Sequence, residues 1–152
     1  MQTEEQNKNN PDLHTVLERY IDSRDGYVHA ADLIDEADLS AAFLEISAKR
    51  EKVGKQMAAI AGENFREAEK EGTIEAAAHR WWMAVRDKMT AEELYPILSE
   101  CIRGEKVLAG AIRGAIEKTE DQPEKCSVLK EALAEVEMAI EHFESAIQSR
   151  GE

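Results

Sequence analysis

The sequence predicts an all-α protein, a four-helix bundle of long helices with a fifth, shorter helix crossing between its halves. Three observations carry this. Apolar residues recur at helical spacing over long stretches, and no β-like alternation interrupts them. The three prolines, Pro11, Pro96 and Pro123, fall at or near helix starts, where the missing N–H costs little. Ala, Glu, Lys and Leu dominate while aromatic residues make up only 5% of the chain, a balance that favours packed helices.

The opening "MQTEEQNKNN" is polar and aperiodic, so residues 1–10 are expected to be a disordered tail and 11–150 one domain. The first helix is expected over about 12–35, entered by "NPD", with Leu13, Val16, Leu17, Tyr20, Ile21, Tyr27 and Ile34 on one face. "DEADLS" turns the chain into a second helix over about 38–70, whose stripe includes Leu39, Phe43, Ile46, Val53, Met57 and Ile60. "KEGT" is the expected break, with Gly72 as the stop and Thr73 as the next N-cap. A crossover helix follows over about 73–89, carrying Trp81, Val85 and Met89. "TAEE" caps a helix over about 91–119, and "KTEDQPEK" turns into the last one over about 123–149. The crossover is long enough, at roughly 25 Å by helical rise, to run back along the bundle. The topology expected is therefore ferritin-like rather than simply up-and-down.

The charge excludes several classes of partner. A net −13 leaves nothing to neutralise phosphates, so no nucleic acid is expected, nor docking on an anionic membrane. No apolar run of about 18 residues and no leader-like start are present, which points to a cytoplasmic protein. Cys101 and Cys126 lack metal-ligand spacing and would stand roughly 25 Å apart along the helices, too far to bridge.

Three helices carry polar groups on their apolar face: Ser23 and Arg24 on the first, Ser47 and Arg50 on the second, Glu105 on the fourth. Counted from the turns, Arg24, Arg50 and Glu105 reach the same mid-height. A buried charge is tolerable only when paired and hydrogen-bonded. Glu105 is therefore expected to accept from Arg50, from Arg24 or from both, with Tyr20, Tyr27 and Ser47 as further partners. The last helix reads as uninterrupted, with Leu129, Leu133, Val136, Ile140 and Phe143 inward, and Asp22, Asp25, Glu45, Glu51 and Glu135 read as solvated.

A bundle of this shape raises the question of a dimetal carboxylate centre, which needs inward Glu residues and Glu-x-x-His pairs. Three residues before His14, His29, His79 and His142 stand Pro11, Gly26, Ala76 and Ala139, so the motif is absent. Arginines occupy the heights where carboxylates would be needed, and their charge repels cations. The residual alternative is an iron or manganese site using Glu105 with Glu51, Glu137 and His142. No Gly-rich phosphate loop is present. "HRWWM" places Trp81 and Trp82 about 100° apart, so one packs inward while the other marks a partner contact.

"DSRDGYVHAAD", "AFLEISAKRE", "AAAHRWWMAVRDKM" and "ILSECIRGEKVL" resemble a bacterial group of ferritin-like four-helix-bundle proteins classed as a domain of unknown function. The motifs that carry the likeness are Asp22 with Gly26 and Tyr27, then His79, Arg80, Trp82 and Met83, then Arg103, Gly104 and Glu105. The resemblance implies the ferritin-like fold and a cytoplasmic protein, and no particular reaction. Trp81 departs from it, standing where a small residue is expected. The function expected is non-catalytic and without cofactor: a self-associating or partner-binding bundle whose buried Arg–Glu network replaces a dimetal centre.

Overall fold

The computed structural model describes residues 11–71 and 95–149. Five helices and no strand fall among the described residues: α1 (Leu13–Leu33), α2 (Ala37–Ala61), α3 (Phe65–Glu71), α4 (Tyr95–Lys118) and α5 (Pro123–Ser149). The expected tail over 1–10 and crossover helix over 73–89 lie outside the described residues, as do Trp81 and Trp82. None of the described helices is long and apolar enough to cross a membrane.

Capping sets the first hairpin. Asp12 caps α1 by accepting from the Thr15 N–H at 2.9 Å. The chain turns after Leu33, and Glu36 caps α2 through the Leu39 N–H at 2.7 Å. Ser40 Oγ ties the two helices by donating to the Ala31 carbonyl at 2.8 Å.

The second helix ends earlier than its periodicity predicts. A continuous helix over 38–70 is expected, yet α2 stops at Ala61 because Gly62 takes the left-handed conformation, φ 72° and ψ 27°. The N–H groups of Gly62 and Glu63 then return to the Ala59 and Ala58 carbonyls at 3.2 and 2.8 Å, which satisfies groups the helix end leaves open. Asn64 restarts the chain, its Oδ1 accepting from the Arg66 and Glu67 N–H groups at 2.9 and 3.3 Å. "AGENF" thus holds a stop and a start in five residues, and an apolar stripe running past it hides both.

The helices pack as neighbours in a closed ring: α1 on α2, α2 on α5, α5 on α4 and α4 on α1, with α3 against α1 and α2. Two apolar clusters fill the interior. One holds Leu17 and Tyr20 of α1, Met57 of α2, Ile112 of α4, and Leu129 and Val136 of α5. The other holds Tyr27 of α1, Phe43 of α2, Leu98 of α4 and Phe143 of α5. In the second, the rings of Tyr27, Phe43 and Phe143 meet with centroids 5.4–6.2 Å apart, within the range of favourable aromatic pairs. On α1, α2 and α4 a short, largely polar interval separates the two clusters, so the interior has a polar waist.

Replacing Gly62 with Ala forces a Cβ into the left-handed region and should cost about 1 kcal/mol. Urea unfolding of Gly62→Ala against the wild type measures this directly, and an unchanged midpoint would contradict the cap.

Candidate functional site

The waist is organised by one side chain. Arg50 of α2 is 1% exposed, and each of its five N–H hydrogens has an acceptor. Its Nε donates to Glu135 Oε1 at 2.7 Å and Nη2 to Glu135 Oε2 at 3.2 Å. Glu105 receives Nη2 on Oε1 at 2.6 Å and Nη1 on Oε2 at 3.0 Å. The remaining hydrogen on Nη1 goes to Ser23 Oγ at 2.7 Å. Two bidentate carboxylate forks therefore hold one planar guanidinium, the strongest geometry available to it.

Helix α1 supplies the walls. Tyr20, Ser23 and Tyr27 are spaced three and four residues apart and share a face. The guanidinium carbon lies 5.2 Å from the Tyr20 ring centroid and 5.7 Å from that of Tyr27, close enough for cation–π attraction. Each phenol also serves a carboxylate. Tyr27 donates to Glu105 Oε1 at 2.7 Å, and Tyr20 donates to Glu135 Oε1 at 2.9 Å. All four long helices thus contribute to one polar cluster between two apolar ones.

Electrostatics follow from burial and pairing. Burial opposes the charge on Arg50, but Glu105, Tyr27 and Glu135 outweigh it and hold its pKa well above the usual arginine value. Desolvation drives the Tyr27 phenol well above its ordinary value of 10.0, and the negative charge of Glu105 adds to this. The Tyr20 phenol is raised for the same leading reason, with Glu135 contributing. Cys101 is buried close by, and burial followed by Glu105 pushes its thiol up, which leaves it an unreactive core residue.

The residues expected in the network are not all in one place. Glu105, Arg50 and Tyr27 come together, but Arg24 turns the other way. It bonds Asp25 at 3.0 Å, Glu51 at 3.2 Å and Glu69 at 2.7 Å, forming a second cluster at the rim. Ser47 donates to the Arg24 carbonyl at 3.1 Å instead of joining the charged groups. Glu135, expected to be solvated, has a side chain only 15% exposed and is the second acceptor for Arg50. Asp22, also expected on a solvated face, is buried.

A readable signal for Glu135 existed. The stripe expected on α5 runs through Leu133 and Ile140, which are only half-buried, whereas Ala132 and Ala139 are buried. Glu135 stands three residues after one alanine and four before the other, so centring the face on the alanines brings it inward.

The four residues of the alternative metal set are not brought together. Glu105 serves Arg50 and Tyr27, and Glu51 faces Arg24 at the rim. Glu137 makes a surface pair with Arg113 at 3.4 Å, and the His142 ring meets the edge of Phe143. Among the described residues, no group of three or more His, Cys, Asp or Glu side chains is arranged to hold a metal ion.

The sequence profile of a family described as "Domain of unknown function (DUF2383)" matches residues 10–118, and the chain belongs to that family. No curated protein and no solved structure matches it. The matched span covers α1 to α4, and so includes Arg50, Glu105, Tyr20 and Tyr27, while Glu135 lies beyond it.

Removing Glu105 leaves part of a buried guanidinium unpaired. Glu105→Ala should lose about 3 kcal/mol, and Arg50→Met combined with Glu105→Leu and Glu135→Leu, which leaves no waist charge unpaired, should regain most of it. A loss for Glu105→Ala below about 0.5 kcal/mol, the range of ordinary surface changes, would show that the pair carries no weight. The tyrosines predict a pH dependence. Because the folded pKa is raised, the native state keeps phenol protons that the unfolded chain releases above pH 10, so this stability is full below pH 10 and falls as pH rises. Each buried tyrosine should contribute a slope of about 1.4 kcal/mol per pH unit. Urea unfolding at pH 9 and at pH 11 should show Tyr27→Phe losing about 1.4 kcal/mol less stability than wild type over that interval.

Proposed function

We propose that this is a ferritin-like four-helix-bundle protein of the bacterial cytoplasm that acts without catalysis, by associating with itself or with a protein partner. The waist network would then be an internal fastening that sets helix register, in the position where a ferritin-like bundle would hold a metal pair. The observation that carries this reading is the saturation of Arg50. All five of its hydrogens are taken up by Glu105, Glu135 and Ser23.

The fit of a metal pair can be judged from the same donor set. Glu105 and Glu135 are the two carboxylates of the waist, and the guanidinium of Arg50 is bonded to both. A divalent pair would have to displace that guanidinium and meet its repulsion. The residues do not suit such a centre, and no metal-dependent step is assigned to them. Unlike a metal, an arginine can be supplied by the chain itself, so the network is complete once the helices have docked.

Trp81 and Trp82 of the crossover sequence are the residues assigned to the partner contact, since large aromatic side chains dominate interface energetics. Elemental analysis of protein purified without chelator or affinity tag should find no stoichiometric iron or manganese. Stoichiometric metal that disappears in Glu105→Ala would favour the alternative, a carboxylate-type metal-binding protein or oxidase. Light scattering should give a mass above one chain that falls in Trp81→Ala or Trp82→Ala. A single-chain mass at every concentration would remove self-association and leave only the partner-binding form.

A further inference from the structure

The cluster around Arg24 has no part in the waist and carries an inference of its own. Residues 62–71 leave α2 through Gly62 and lie across the α1–α2 hairpin. Helix α3 has seven residues, too few to hold helical shape without outside contacts. Its anchors are few. Phe65 enters a notch in α2 that exists because position 54 is glycine, since a Cβ there would stand 3.1 Å from Phe65 Cε1 and 3.8 Å from Leu17. Ala68 is buried beside it.

The rest of the attachment is ionic. Arg24 and Lys55 flank the Phe65 ring, at 5.6 and 5.8 Å from its centroid. Glu69 meets Arg24 at 2.7 Å, and Glu63 pairs with His14, which also meets Glu18 at 3.3 Å. The carboxylates of Glu63 and Glu69 are 29% and 33% exposed, so salt reaches both and weakens the Glu69–Arg24 pair, and the Glu63–His14 pair whenever His14 carries a proton. The attachment is therefore one aromatic ring between two cations, the buried Ala68, and a paired carboxylate on either side of the ring in the chain, Glu63 with His14 and Glu69 with Arg24.

We propose that the Gly54 notch is a docking site for an aromatic side chain flanked by carboxylates in a short segment, and that residues 62–71 occupy it in cis. The occupant on the page defines the chemistry of the ligand. Phe65 stands among Glu63, Glu67 and Glu69, and the notch offers an apolar floor of Leu17 and Gly54 with Arg24 and Lys55 at its edges. A partner segment of that composition makes the same contacts once the cis segment lifts. Lifting leaves the interior intact, because neither apolar cluster draws more from this segment than Phe65 and Ala68. The notch needs neither Trp81 nor Trp82, so a chain that never self-associates can still dock such a segment.

Two measurements test this on the full chain. In hydrogen exchange, the amides of 65–71 should exchange faster than those of the α4 core and speed up about three- to tenfold from low to high salt, the span to which two surface pairs of usual strength convert. Salt-independent exchange as slow as the core would overturn the proposal. A labelled synthetic peptide of residues 62–71 should bind the Phe65→Ala variant at least tenfold more tightly than wild type, whose own segment competes. Binding should weaken with salt and be lost in Phe65→Ala with Gly54→Leu, where the new side chain fills the notch. Circular dichroism at the wild-type level keeps both variants informative. No binding to a folded Phe65→Ala variant, or equal binding with Gly54→Leu, would sink the idea.

Discussion

Everything in the interior of this protein accommodates one guanidinium group. Taking the charge of Arg50 out of water is expensive, and only dense, well-aligned hydrogen bonding offsets that cost. The two forks from Glu105 and Glu135, the hydroxyl of Ser23 and the rings of Tyr20 and Tyr27 supply it. Because these groups come from four helices, none can slide by a turn without leaving a buried charge unpaired. Apolar packing alone would tolerate such a slip far better, since one leucine replaces another at similar cost. The charged waist therefore acts on register, whereas the two apolar clusters on either side of it account for most of the burial.

The tyrosines have a double part in this arrangement. Each ring attracts the guanidinium through its face and gives its hydroxyl proton to a carboxylate, so the excess negative charge of two Glu against one Arg is spread over neutral donors. Partner-sharing of this kind makes the cluster cooperative, and single deletions are expected to cost more than any one contact contributes. It also explains why the group is chemically quiet. The acids are engaged, the phenols are held protonated and the nearby Cys101 thiol is kept neutral by burial.

The second arginine follows a different logic. Arg24 lies at the rim, where water shares the cost of its charge, and it holds Asp25, Glu51 and Glu69 in place of a buried acid. The two arginines thus divide the work. One fastens the long helices to each other, and the other fastens the short segment that leaves α2. The first is shielded from salt and the second is open to it, so strength and releasability are kept in separate places.

The sequence by itself determined the all-helical class, the approximate span of three of the four long helices and the shared height of Arg50 and Glu105. These depend on periodicity and on distance along a helix, which are local quantities. It also held the Gly62 stop and the Asn64 start, hidden beneath an apolar stripe that runs through both. Only the tertiary structure decided that Glu135 joins Arg50 in the waist while Arg24 turns to Asp25, Glu51 and Glu69. The reason is rotational. Periodicity places a residue on a face to within about one position, or 100°, and a long side chain near the edge of that face can go to either side. Which side it takes depends on how each helix is rotated against its neighbours. On α5 the small residues Ala132 and Ala139 set that rotation by allowing close approach, and at Arg24 it was Glu69, delivered by the turn at Gly62.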